Sequence, residues 1–253
     1  MAALDVDGTQ TAVVTGGGNG LGADICRALH EAGFRVVVSD VDLTAAEGLA
    51  AELDSTGQTA VAVRIDVSRP DDFQSALEMI VERWGKAHVL VNNAARTEVK
   101  PLLDIDPADF NSILATNAGG CFAGSQVFGR HFKQNGYGRI INLASIAGQN
   151  GGTATGAHYA ASKGAILTLT KVFARDLAAF GVTTNAIAPG PHDTPMVRSV
   201  LTDDKLPAAL AGIPVGHLGD PKFVAKLIVL MAGPESGFVN GACFDVNGGI
   251  YMR

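Results

Sequence analysis

Thr15-Gly16-Gly17-Gly18-Asn19-Gly20-Leu21-Gly22 follows a short β-type run, Thr11 to Val14, and leads into a helical pattern. A strand that turns sharply into a helix needs glycine where φ is positive, where a side chain would block a phosphate, and where helix backs onto strand. Gly16, Gly20 and Gly22 fill those places in order, with Asn19 and Leu21 between them, so the stretch reads as a cradle for a dinucleotide pyrophosphate. The same letters also fit a G-x-G-x-x-A fingerprint at Gly18, Gly20 and Ala23, and spacing alone leaves the register open. Asp40 follows the next β-like run, Arg35 to Ser39, and lies eighteen positions beyond Gly22, near the spacing of a ribose-binding acid.

Outward from the cradle, apolar β-like runs alternate with helical patterns. The runs are Thr11–Val14, Arg35–Ser39, Thr59–Ile65, Val89–Asn92, Arg139–Ala144, Thr183–Ala188 and Cys243–Val246. Helical patterns cover Leu21–Ala32, Ala45–Leu53, Asp71–Trp84, Pro107–Phe132, Tyr159–Phe180 and Pro221–Met231, several followed by glycine. Strict alternation predicts an α/β, Rossmann-type doubly wound parallel sheet of about seven strands, with helices on both faces and ligands at the carboxyl ends of the strands. One domain spanning residues 1–253 is expected.

Composition excludes whole classes. A hydrophobic content of 47% against 17% charged residues is too apolar for a disordered chain. The net charge of −6, without a basic cluster, argues against nucleic-acid or anionic-membrane partners and for small molecules. The acidic stretch Met1 to Gln10 shows no leader, and no apolar run reaches membrane-spanning length, so a cytoplasmic protein is expected. Cys26, Cys121 and Cys243 lack disulfide or metal-ligand spacing and read as three small buried residues. No histidine pair has metal-site spacing; His30, His88, His131 and His217 read as structural, and no metal is expected.

Tyr159 and Lys163 stand four residues apart at the start of a helical pattern, on one face. A free phenol, with a pKa near 10, is too weak a base at neutral pH. An ammonium about 4 Å away at an effective dielectric near 20 is worth roughly 4 kcal/mol, or about three pKa units. Burial opposes it, and the expectation is that the charge wins, most of all beside an oxidised nicotinamide ring. Ser145, closing the strand from Arg139 to Ala144, would hold a substrate oxygen at the ligand edge. Taken alone, the serine also reads as a turn cap, and the Tyr159–Lys163 pair as an ordinary surface pair.

Together these residues resemble the short-chain dehydrogenase/reductase family over essentially the whole chain. The likeness rests on Thr15–Gly22, Asp66-Val67, Asn92-Asn93-Ala94, Asn117, Ser145, Tyr159 and Lys163, and continues through Pro189-Gly190, Thr194-Pro195-Met196, Gly219-Asp220-Pro221 and Asn247-Gly248-Gly249. It implies Tyr159 as acid/base and Lys163 as the cation that lowers its pKa and binds the nicotinamide ribose. Ser145 would orient the substrate, and Asn117 would hold a water linking Lys163 to solvent. Asp66 and Val67 would contact adenine, Asn93 and Ala94 would line the ribose side, and Pro189, Gly190 and Thr194 would fix the nicotinamide amide. His192, also assigned to the cofactor, replaces the family's usual β-branched residue. Ala95 and Asn247 are further departures, and the Ser145–Tyr159 interval is one residue longer than usual. His158 and His192 flank the expected pocket.

Asp40 predicts NAD over NADP. Its carboxylate suits ribose hydroxyls, whereas a 2′-phosphate within about 4 Å would cost roughly 4 kcal/mol, near a thousandfold in affinity. The expected activity is interconversion of a secondary alcohol and a ketone. The resemblance implies a substrate lid near 192–215; Met196, Val197, Val200, Leu201, Leu206, Leu210 and Ile213 make it apolar, while Arg198 and Lys205 read as a solvated face. Two alternatives stay open: an NADP-dependent reductase of 3-oxoacyl thioesters, and a non-catalytic dinucleotide sensor. The resemblance also implies a homotetramer built on the helices near Pro107–Phe132 and Tyr159–Phe180.

Overall fold

The computed structural model describes residues 9–152, 156–194, 197–198 and 206–253. Several lid residues of the sequence reading (Pro195, Met196, Val200, Leu201 and Lys205), residues 153–155 of the loop before Tyr159, and residues 1–8 lie outside the described residues.

Seven parallel strands form one sheet in the order β3-β2-β1-β4-β5-β6-β7. They are β1 (Thr11–Thr15), β2 (Arg35–Asp40), β3 (Ala60–Arg64), β4 (Val89–Asn92), β5 (Gly138–Leu143), β6 (Val182–Pro189) and β7 (Cys243–Val246). The order reverses between β1 and β4, and that junction opens the crevice in which such sheets bind ligands. β1, β4 and β5 are buried along their whole length, which explains runs of valine, leucine and isoleucine rather than alternation with polar residues. Successive residues feed opposite faces. Val14, Val36 and Val38 join one core with Ile25, Leu29 and Ile228, while Val13 and Val37 join another with Phe73, Phe128 and Phe132.

The helices are α1 (Gly20–Glu31), α2 (Leu43–Leu53), α3 (Pro70–Trp84), α4 (Pro107–Leu114), α5 (Gly120–Asn135), α6 (Ala147–Asn150), α7 (Ala157–Leu177), α8 (Leu206–Ala211) and α9 (Pro221–Ala232). Starts are written in the residues: Asp42, Asp106 and Asp220 cap α2, α4 and α9 with their carboxylates, and proline opens α3, α4 and α9. None of the described helices is long and apolar enough to cross a membrane.

The helical pattern expected over Pro107–Phe132 is present without a break, though not as uniform α-helix. α4 and α5 are joined by a π-turn, Ala115–Gly119, which lets Asn117 into the interior. Periodicity misses this because the insertion changes the facing of one turn without interrupting the helix. Buried amides then tie helices to sheet. Asn92 Nδ2 donates to Ser125 Oγ of α5 at 3.0 Å and to Asn142 Oδ1 at 2.8 Å, and Asn142 Nδ2 donates to Thr170 Oγ1 of α7 at 2.9 Å. This chain of satisfied bonds sets the height of α7 over the strand ends.

Candidate active site

A cleft of about 1110 Å³ runs along the carboxyl ends of the strands. Its walls contain every residue assigned to the cofactor from the sequence: Gly16, Asn19, Gly20, Leu21, Gly22, Asp40, Asp66, Val67, Asn93, Ala94, Tyr159, Lys163, Pro189, Gly190, His192 and Thr194. Ser145 lines it too, while Asn117 lies behind the wall, 1% exposed.

The glycine register is resolved by the backbone. Gly16 has φ +62°, and a Cβ on Gly22 would overlap the Gly16 carbonyl oxygen, so a strand-to-helix turn this tight excludes a side chain at Gly22. Gly18 instead stands beside Asp40, whose Oδ2 accepts from the Gly18 N–H at 3.0 Å. Asn19 precedes α1 without a side-chain cap, leaving the N-terminal N–H groups of α1 facing the cleft for an anion. Asn93 lines the cleft and also supports the glycine turn. Its Nδ2 donates to the Thr15 and Gly16 carbonyls at 3.0 and 2.9 Å, so the amide braces the cradle. Thr15 Oγ1 accepts from the N–H groups of Asn93 and Ala94 at 3.0 and 3.1 Å, tying β1 to β4 at the crevice. Ser68 holds the Asp66 carboxyl below the usual carboxylate range through its hydroxyl and N–H. The glycine cradle, the anion-ready helix start and the flanking acid fit a dinucleotide cofactor.

At the other end, Tyr159 occupies the first turn of α7 and Lys163 the next, with Lys163 Nζ 5.6 Å from the phenol ring centroid. The ammonium is buried and donates to the Leu143 carbonyl at 2.5 Å. Burial lowers its pKa from 10.5 to about 8. The expectation that charge outweighs burial at Tyr159 is corrected for the ligand-free protein: burial raises the phenol, and a Ser145 hydrogen bond pulls it only part-way back. Ser145 lies two residues beyond the end of β5 rather than within it, and its Oγ accepts from Ala147 N–H at 3.1 Å.

Asn117 braces the loop after β4 from behind the cleft wall. Its Oδ1 accepts from Arg96 N–H at 2.7 Å, and its Nδ2 donates to Arg96 carbonyl oxygen at 2.9 Å and Ser162 Oγ at 3.0 Å. Both amide hydrogens are committed, so the side chain organises backbone, and the second lone pair of Oδ1 is what it has left to offer the expected water.

His192 is 6% exposed and donates from Nδ1 to the Gly190 carbonyl at 3.0 Å, because a carbonyl can only accept. His158, fully buried, accepts the Tyr159 N–H at 2.9 Å and does not line the cleft. Cys26 and Cys121 are buried as expected, but Cys243 is only half-buried at the sheet edge. Sequence reading missed Arg96, Ser112 and Thr116 in the cleft wall. Nothing in their spacing signals it, since the π-turn and the β4 loop bring them together.

A family model described as Enoyl-(Acyl carrier protein) reductase matches residues 16–251. The chain is 35% identical over 243 residues to a 3-oxoacyl-[acyl-carrier-protein] reductase of Vibrio cholerae, covering 96% of this chain and 98% of the relative. The chain belongs to the short-chain dehydrogenase/reductase family. The corresponding 3-oxoacyl-[acyl-carrier-protein] reductase of Escherichia coli is 34% identical over 245 residues, with 96% and 98% covered. A short-chain reductase protein, NovJ, of Streptomyces niveus is 35% identical over 246 residues, with 95% and 93% covered. As a short-chain dehydrogenase/reductase the protein is an oxidoreductase, and its parallel sheet is the Rossmann-type scaffold of that family.

Proposed function

We propose that the protein interconverts a secondary alcohol and a ketone with a nicotinamide dinucleotide, using Tyr159 as acid/base. The supporting observation is that Ser145, Tyr159 and Lys163 line the same cleft as the glycine cradle. Bound NAD(H) would take or supply the hydride at the substrate carbon. Ser145 Oγ would donate to the substrate oxygen and hold it against the phenol. Tyr159 would give that oxygen a proton in reduction and remove it in oxidation. Its raised pKa in the ligand-free protein keeps the phenol protonated at neutral pH, the form reduction needs. Lys163 would stabilise the phenolate left behind, and Asn117 would hold the Arg96 loop and Ser162 in position.

Asp40 supports NAD. Both of its oxygens are held by backbone N–H groups, Gly18 at 3.0 Å and Asp42 at 3.1 Å, so a fixed negative charge stands where a 2′-phosphate would have to fit. Among ketones, the names of the Vibrio and Escherichia relatives favour a 3-oxoacyl thioester over a simple cyclic or aromatic ketone. The sensor reading has no observation in its favour. The expected homotetramer is proposed on Phe122 of α5 and Val172 of α7, which are 43% and 38% exposed.

The test is turnover of 3-oxoacyl thioesters and neutral ketones with NADH and NADPH, for the wild type and Tyr159→Phe. We expect NADH-dependent reduction that drops about 10²–10⁴-fold in kcat without the phenol oxygen. Undiminished turnover by Tyr159→Phe would refute the assignment.

A further inference from the structure

Arg96 follows the Asn92-Asn93-Ala94-Ala95 run beyond β4, is exposed, and lines the same cleft as Ser145 and Tyr159. Its Nη1 donates to Ser112 Oγ at 3.2 Å, and no carboxylate of the described residues pairs with it within 4.0 Å. The acids nearest along the chain, Glu98 and Asp109, turn toward Lys100. Lys100 binds Asp109 and also Glu98, the latter at 3.1 Å; Asp109 feels the Arg96 charge across space but makes no direct ion pair with it. Lys163, the other cation of the cleft wall, is buried and committed to the Leu143 carbonyl. A guanidinium has five N–H donors in a planar fork, and Ser112 takes one.

The backbone that carries this cation is tied to the helix that carries the phenol. Asn117 binds the Arg96 backbone on both sides and donates to Ser162, whose hydroxyl donates to the Tyr159 carbonyl at 2.7 Å. A charge fixed to the frame that carries the acid/base can sort substrates by a group remote from the reacting carbon.

We propose that Arg96 recognises an oxyanion, carboxylate or phosphate, on the substrate. The inference rests on the oxidoreductase reading of the site and adds the substrate's charge. A planar fork binds either oxyanion through paired charge-assisted hydrogen bonds.

The experiment measures binding by calorimetry to protein saturated with NAD⁺, which leaves a 3-oxo compound unreduced. Two matched pairs serve as probes: 3-oxobutanoyl-coenzyme A against its uncharged N-acetylcysteamine thioester, and 3-oxobutanoate against its methyl ester. The wild type is expected to prefer the charged member of one pair by about ten- to a hundredfold. The pair showing it separates phosphate from carboxylate. Arg96→Gln should erase that preference, leave the uncharged member and NAD⁺ affinity within about twofold, and Arg96→Lys should restore part of it. Three results would overturn the proposal: no preference in the wild type for either pair, a preference surviving in Arg96→Gln, or weakened NAD⁺ binding in that variant, which would assign the cation to the cofactor. Tyr159→Phe should keep the preference for the charged member of the pair while losing turnover, so this inference and the acid/base assignment fail separately.

Discussion

Asn117 grips the Arg96 peptide from both sides, accepting from its N–H at 2.7 Å and donating to its carbonyl at 2.9 Å. The side chain is 1% exposed and stands on a π-turn, so no water replaces it at low cost. Asn117→Ala is expected to destabilise the fold by about 2–4 kcal/mol and to lower kcat at least about tenfold, because the loop and Ser162 lose their shared anchor. Urea unfolding and steady-state rates check both. Asn117→Asp should fare no better, since a carboxylate keeps the acceptor but loses both donors and buries a charge.

Lys163 gives a pH signature. Its pKa is about 8 in the fold against 10.5 when unperturbed, so between those values the unfolded chain holds a proton that the native protein does not. Stability therefore rises with pH across that window, and the cost of burying the ammonium is fully present below pH 8. Relative to Lys163→Met, the wild type should gain up to about 3 kcal/mol between pH 8 and 10.5. Denaturant unfolding of the two ligand-free proteins along that range tests it; a flat difference would contradict the buried charge.

Asp40 is expected to set the cofactor ratio. Asp40→Ala removes the fixed charge beside Gly18 and should narrow the NAD over NADP preference by up to about a thousandfold in kcat/KM. An unchanged ratio would place the ribose elsewhere.

Gly22→Ala should weaken cofactor binding and lower the melting temperature together. The added methyl overlaps the Gly16 carbonyl oxygen, so the cradle must open to admit it. Titrating NADH fluorescence with this variant reads the first effect and thermal unfolding the second. Full affinity would mean that the turn tolerates opening.

The fold was legible because it rests on local signals that tertiary context reinforces. Buried parallel strands must be apolar on both faces, helix starts need acceptors or proline, and a strand-to-helix turn needs bare backbone at Gly22. The π-turn at Ala115–Gly119 was not legible, since it depends on how α5 seats between Asn92 and α7. The same holds for Asn93, whose amide faces the glycine loop only once β1 and β4 are neighbours.

By itself the sequence determined the doubly wound sheet, the cradle from Gly16 to Gly22 and the serine, tyrosine and lysine that line one cleft, because spacing along a helix or strand sets those relations. Tertiary structure alone decided the electrical state of the site. Whether Lys163 or burial governs the Tyr159 phenol depends on how much water the assembled walls exclude, and in the ligand-free protein burial wins. It also decided that Arg96 faces the cleft without a directly paired carboxylate, since that needs a loop, a π-turn and the Lys100 pairs brought together across the fold.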